Sequence, residues 1–140
     1  MAVSFTNNME YDLLNMIKGV QPSWDTATSF YWAAYTAAPG EAGSATSNEI
    51  TGIVDYARVA TTRLTEITVS ASNVLSNAVL ISFPLGGASS TSGTITHVCL
   101  VNTLTGSGSI MLPFELPNSI PYGTGIQPQI GAGAATFSLD

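Results

Sequence analysis

After Pro22 the sequence consists of short runs of β-forming residues that are separated by clusters of Gly, Pro, Asn and Ser. Short runs rich in Val, Ile, Thr and aromatic residues, bounded by turn residues, predict β-strands. Eight strands are predicted, at residues 29–36, 56–61, 64–70, 78–83, 94–102, 109–116, 124–130 and 134–139. Many short strands with long crossings, such as residues 37–54, favour a jelly-roll-like or Greek-key β-sandwich over a meander. The predicted fold class is therefore all-β.

The run at residues 94–102 indicates how such a strand would sit in the sandwich. Successive side chains of a strand point to opposite faces of the sheet. One face of this strand would carry Ile95, His97, Cys99 and Val101, and the other Thr94, Thr96, Val98 and Leu100. Two facing sheets would each bury one such face.

A helix is predicted at the N-terminus, before the strands begin. Asn7 and Glu10 resemble a capping box, and Gly19 is typical of the position that follows a helix C-terminus. A helix this short is marginal by itself in water, so it must pack either on its own sheet or on a neighbouring subunit. The residues on its predicted apolar face are Met9, Leu13, Met16, Ile17 and Val20.

The length of 140 residues fits one domain, spanning residues 1–140, with residues 1–22 as an N-terminal helical arm. Residues 85–93 are rich in Gly, Ser and Thr and poor in apolar groups. They are predicted to form a mobile loop, or one that only a partner orders.

Charge is scarce and mostly negative. Three Lys and Arg residues against nine Asp and Glu residues give a net charge of −6, and only 9% of all residues are charged. Nucleic acids and anionic membranes both attract clustered cations, so we expect neither as a partner. Because interface cores are depleted of charge, the composition fits a protein packed against other subunits as well as it fits an uncharged β-protein surface.

Residues that carry chemistry are few and scattered. His97, the single histidine, lies two residues from Cys99 on one predicted strand, whereas a nucleophile and its base usually come from separate elements that converge. Glu41 and Glu49 lie in a loop without basic or aromatic neighbours in the sequence to tune them. One His and one Cys leave no ligand set for zinc. We therefore expect no enzymatic activity, no cofactor and no bound metal.

Several segments resemble a family of small structural proteins of tailed phages, described as tail-fibre-like or head-decoration proteins. The resemblance covers most of the chain and implies a virion protein with a β-sandwich fold. Its segments are residues 35–52, Tyr56-Ala-Arg58, Ile81-Ser-Phe-Pro84, Ser92-Gly-Thr-Ile-Thr-His97 and residues 131–140.

Six residues are candidates for contacts between subunits. Core packing is the default interpretation for the aromatic ones, because the same residue types dominate cores and interfaces. For Arg58, which matches the Tyr-Ala-Arg segment of the family, an internal tie and a subunit contact are equally supported, since a guanidinium can bridge either through carboxylate or carbonyl oxygens. The six are Met9, Leu13, Ile17, Trp24, Trp32 and Arg58.

The resemblance implies a head-decoration or cement protein, a homotrimer bound to the major capsid protein on the capsid surface. A tail-fibre or baseplate component is the alternative. A third interpretation is a carbohydrate-binding module that presents the ring of Trp24, Trp32 or Tyr122 to a sugar. The N-terminus lacks the pattern of a signal peptide, so secretion by this route is not expected. The sequence has no Asn-x-Ser/Thr glycosylation acceptor, which fits assembly in the cytoplasm of the bacterial host.

Overall fold

The computed structural model of the protein describes residues 5–139, so the first four residues of the predicted arm and Asp140 lie outside the described residues. Within these residues one helix precedes nine strands. The elements are α1 (Asn7–Ile17), β1 (Ser29–Tyr35), β2 (Val59–Thr62), β3 (Ile67–Val69), β4 (Val74–Asn77), β5 (Ile81–Ser82), β6 (Gly93–Val101), β7 (Ile110–Tyr122), β8 (Gln129–Ile130) and β9 (Thr136–Ser138).

The main sheet has four antiparallel strands in the order β2-β1-β6-β7. Tyr31 in β1 is opposite Ala60 of β2 on one side and Val101 of β6 on the other. Two smaller antiparallel sheets, β3-β4-β9 and β5-β8, complete the fold. This arrangement confirms the predicted all-β, sandwich-like fold class.

The smaller sheets supply side chains to a core on one face of the main sheet. Phe137 of β9 packs against Phe114 of β7 with ring centroids 6.2 Å apart. Ile81 of β5 and Ile130 of β8 are buried in the same cluster. The opposite face of the main sheet carries a smaller buried cluster, formed by Ala33, Tyr35, Ala45, Cys99, Val101 and Ile110.

The predicted alternation in β6 is right for the second half of the strand and wrong for Ile95. Cys99 and Val101 belong to the smaller cluster, and Val98 and Leu100 to the larger one. Ile95, predicted on the face of Cys99, instead lies in the larger cluster. The pairing of β6 with β7 shifts between Ile95 and His97. Such an irregularity rotates the chain, so an alternation rule cannot be carried across it.

β7 forms one edge of the main sheet and is irregular there. Between Glu115, opposite His97, and Ile120, opposite Ile95, it contains four residues where β6 has one. Residues 117–119 of this insertion are exposed. The strand also contains three prolines, at positions 113, 117 and 121.

The N-cap of the helix lies one residue before the predicted one, Asn7. Thr6 is the N-cap, because its hydroxyl accepts from the Met9 amide at 3.4 Å and also donates to the Ile110 carbonyl of β7 at 2.8 Å. The predicted stop is confirmed, since Gly19 has a φ of 89°, a conformation that glycine adopts without strain. The helix packs against β7.

Further differences from the sequence prediction concern β4, residues 124–130 and residues 85–93. β4 was not predicted, and the run predicted at residues 124–130 is a strand only at Gln129–Ile130. Residues 85–93, predicted to be mobile or ordered by a partner, are bonded within the chain. The Gly86 amide donates to Ile126 O, that of Gly87 to Val54 O and that of Thr91 to Gly52 O, each at 2.9 Å.

Candidate functional site

Arg58 is the centre of a buried polar cluster beside the main sheet. Its Nε donates to Glu49 Oε1 at 2.8 Å and its Nη2 to Glu49 Oε2 at 2.7 Å, which is a two-pronged ion pair. Its Nη1 donates to the carbonyl and the hydroxyl of Thr103 at 2.9 and 3.0 Å, and its Nη2 also donates to Gly106 O at 2.9 Å. The side chain of Arg58 is 3% exposed and that of Glu49 is 13% exposed.

These contacts decide between the two alternatives left open for Arg58. A guanidinium has five N–H donors, and the contacts made by Arg58 within the chain engage all of them. Hydrogen bonding to Glu49 raises the pKa of Arg58 above its ordinary value. Arg58 is therefore an internal tie between the 37–54 segment and the turn that follows β6.

Two tyrosines extend the cluster to the backbone of β1 and of the loop. The Tyr56 hydroxyl donates to Glu49 Oε1 at 2.9 Å and accepts from the Ala34 amide at 3.0 Å. The Tyr35 hydroxyl donates to the Ala45 carbonyl. Burial raises the pKa of both Tyr35 and Tyr56, so both hydroxyls remain protonated donors at neutral pH.

The 37–54 segment is fixed by these side chains and by backbone pairing. Glu49 forms an isolated antiparallel β-bridge with Tyr35 at the end of β1, and Ser44 forms another with Ser109 next to β7. Gly43, with a φ of 66°, lies so close to Thr6 that an added Cβ would be 2.8 Å from the Thr6 Cβ. The 37–54 segment is thus an ordered loop that contacts within the chain hold in place.

Trp32 is a core residue, so the prediction that it contacts another subunit is wrong. It is 1% exposed, and its ring lies 5.2 Å from that of Phe114 in an edge-on arrangement. Inward-facing positions of β1 bury their side chains between the main sheet and the smaller ones, so a ring at this position cannot reach a partner.

Trp24 is half-buried near the C-terminal half of α1. Its Nε1 donates to Asp12 Oδ2 of the helix at 2.6 Å. The Arg63 guanidinium lies 5.5 Å from the Trp24 ring and 4.8 Å from the Phe30 ring, and its Nη1 donates to the carbonyls of residues 24, 25 and 27. The guanidinium of Arg63 is therefore, like that of Arg58, hydrogen-bonded to groups of its own chain.

Met9 and Leu13 are half-buried where α1 faces the body of the protein, whereas Ile17 is 85% exposed. Met9 borders an apolar groove of about 230 Å³ between the helix, the main sheet and the β3-β4 hairpin. The groove is lined by Met9, Trp24, Phe30, Arg63, Ile67, Leu75, Leu100, Met111 and Leu112.

The outer face of α1 carries exposed apolar residues that the sequence prediction did not include. Tyr11 is 68% exposed and Leu14 is 67% exposed, and both lie outside the predicted apolar face. The signal was present as a second series of apolar residues three positions apart, at 11, 14 and 17.

Cys99 and His97, the residues best suited to chemistry by type, lie two positions apart on β6 in different surroundings. Cys99 is fully buried, and burial raises the pKa of its thiol well above the ordinary value. Burial lowers the pKa of His97, whose Nδ1 is 2.9 Å from the Thr96 hydroxyl. Among residues 5–139, His, Cys, Asp and Glu side chains form no group of three or more placed to hold a metal ion. Nor does the described part of the chain contain a helix long and apolar enough to cross a bilayer.

The described residues thus form an all-β domain with hydrogen-bonded loops and a helix that carries exposed apolar residues. Residues 4–138 match the family described as Podophage GP4 fiber I protein gp80. The chain belongs to this family and is a phage virion structural protein, as the resemblance implied. The match does not confirm the expectation of a head-decoration protein. Among curated proteins no sequence matches the chain.

Proposed function

We propose that the protein is a subunit of a fibre on the tail of a podophage, and that it acts by contact and not by catalysis. The observation that carries the proposal is the match to a fibre family over residues 4–138, nearly the full length of the chain. A family of fibre proteins favours the tail-fibre alternative over decoration of the head.

The hydrogen-bonded loops support this role. A fibre subunit must keep its shape while its neighbours transmit force, and hydrogen bonds across long sequence separations resist the opening of loops. Arg58 joins residues 45 and 48 positions away, and Asn77 donates to Val79 O and Gly131 O while its own Oδ1 accepts from the Ala135 amide.

Self-association is part of the proposal. Fibre subunits repeat around an axis, and closed cyclic symmetry is the usual arrangement of identical chains. A trimer is the state that the resemblance implies. Contact with the major capsid protein belongs to the head-decoration alternative and would be expected only there.

Sugar binding by the three aromatic residues is disfavoured by their positions. Trp32 and Tyr122 are 1% and 0% exposed. The half-buried ring of Trp24 has the Arg63 guanidinium beside it. Stacking on a sugar requires an open ring face, so none of the three offers a platform of the expected kind.

Counting copies in purified virions tests the proposal. We expect quantitative mass spectrometry to find far fewer copies of this chain than of the major capsid protein, and immunogold labelling to mark the tail end of the particle. A copy number near that of the major capsid protein, with label spread over the head, would overturn the fibre assignment in favour of head decoration.

A further inference from the structure

Helix α1 is apolar on two sides, but the body of the protein covers only one of them. On the covered side Met9 and Leu13 are half-buried, and Met9 lines the apolar groove. Tyr11, Leu14 and Ile17 lie on the other side, with exposed fractions of 68%, 67% and 85%. A helix with apolar residues on both sides is expected where both sides are covered.

The helix is also weakly held by its own chain. It has 11 residues, and none of them is fully buried. Isolated helices shorter than about 12 residues are marginal in water. The Thr6 cap, the contact with β7 and the hydrogen bond from Trp24 to Asp12 fix one end and one side, so a partner on the outer side would complete the burial.

The outer face has a pattern that is symmetric about Leu14. Three residues before and after it are the large apolar residues Tyr11 and Ile17, and four residues before and after it are the exposed charges Glu10 and Lys18. When two copies of such a helix pack antiparallel around Leu14, Tyr11 meets Ile17 and Glu10 meets Lys18, twice each. A two-fold contact requires this self-complementarity.

We propose that α1 packs antiparallel against α1 of a second copy of the chain, with the two-fold axis passing near Leu14. This inference rests on the proposed function as a self-associating fibre subunit. Neighbours within a cyclic trimer are related by a three-fold axis, so the two-fold contact would join chains of two different trimers. Parallel packing around an axis would instead place Glu10 next to Glu10 and Lys18 next to Lys18, an arrangement that like-charge repulsion disfavours.

Charge elsewhere on the chain strengthens the choice of a second copy at this surface. The net charge is −6, so two copies repel each other wherever carboxylates face carboxylates. Arg58 and Arg63 donate to groups of their own chain, whereas Lys18 forms no ion pair among residues 5–139. The outer face of α1 thus offers a cation that can offset the Glu10 of a partner.

The size of the surface sets the expected strength. Tyr11, Leu14 and Ile17 together expose roughly 450 Å² per copy, so the pair would bury at most about 900 Å², which is below the range of about 1,200–2,000 Å² for stable interfaces and is typical of weak, transient contacts. Such a contact forms a weak dimer in solution and is reinforced when fibre assembly brings many copies together.

Charge reversal tests the direction of packing. Sedimentation equilibrium over a wide concentration range would compare the wild type with Glu10→Lys, Lys18→Glu and the double variant. Each single reversal converts two attractive contacts per dimer into repulsive ones, so we expect the dimer dissociation constant to rise about tenfold. The double variant should recover most of this loss. Glu115→Lys, the same change at an exposed position on β7, should not follow this pattern of loss and recovery.

Leu14→Ser tests the apolar centre of the contact. Because Leu14 points outward, the variant protein should keep the circular dichroism spectrum and melting temperature of the wild type at low concentration, while dimer formation is lost. A wild-type protein that stays monomeric at several hundred micromolar overturns the pairing, as does a Glu10→Lys variant that associates normally. Neither result affects the copy-number test, so failure of this inference is distinguishable from failure of the fibre assignment.

Discussion

Replacing Arg58 by Met should destabilise the domain more than any change at an exposed cation. Met keeps an unbranched stem of similar length but removes all five N–H donors. Glu49 would then keep only the Tyr56 hydroxyl among its side-chain partners, and the carbonyls of Thr103 and Gly106 would lose their donors.

Removing one member of a buried ion pair costs about 3–5 kcal/mol, because the remaining charge has no compensation. Glu49 is 13% exposed, so water can reach part of the carboxylate, and we expect a value of about 3 kcal/mol at the lower end of that range. For a domain of this size each kcal/mol lowers the melting temperature by about 4 °C, which gives a decrease of about 12 °C.

Thermal and urea unfolding followed by circular dichroism measure this loss. Lys18→Met is the matched control at concentrations at which the chain is monomeric, because it removes an exposed cation and should then change the unfolding free energy by less than about 0.5 kcal/mol. In the double variant Arg58→Met, Glu49→Leu no charge is left buried without a partner, so part of the stability should return. If Arg58→Met unfolds within about 1 kcal/mol of the wild type, the buried pair does not hold the loops.

Two further predictions concern pH and backbone packing. Burial raises the pKa of Tyr35, Tyr56 and Tyr122 above the ordinary 10.0, so unfolded chains lose these protons at a lower pH than folded chains. The unfolding free energy should therefore be unchanged below pH 10 and fall above it by up to about 1.4 kcal/mol per pH unit for each tyrosine. Unfolding free energies that stay constant from pH 8 to 11 would contradict this. Gly86→Ala places a Cβ 2.0 Å from the Gly123 carbonyl oxygen, so the backbone must shift at a cost of about 1–3 kcal/mol, whereas Gly131→Ala, with open space around it, should be neutral in the same urea titration.

Local signals in the sequence predicted much of the fold. The β1 and β6 runs were assigned within one residue at each end, because β-forming residues there are bounded by clear turn residues. β4 was missed because Val74 and Leu75 are only two apolar residues after a polar turn, and its pairing with β3 and β9 comes from tertiary contacts. Such pairing overrides weak local preference.

The buried cluster was only partly predictable. A role for Arg58 as an internal tie was one of two alternatives, since its sequence position beside a strand fitted both. Glu49 could not be named as its partner. The two residues are nine positions apart, and left-handed backbone conformations at Asn48 and Asp55 help to determine whether the carboxylate reaches the guanidinium. Geometry of this kind depends on the whole loop and is absent from any short pattern.

The shape of β7 has a consequence for how copies of the chain can join. An open sheet edge invites the strand of another molecule to continue the ladder, and such pairing leads to fibrils that cannot be taken apart. A proline at every fourth position of β7 removes amide donors, and the exposed insertion at residues 117–119 interrupts the straight edge. We expect this edge to keep copies of the chain from fusing by strand pairing and to leave contacts between copies to side chains, which can separate and pair again.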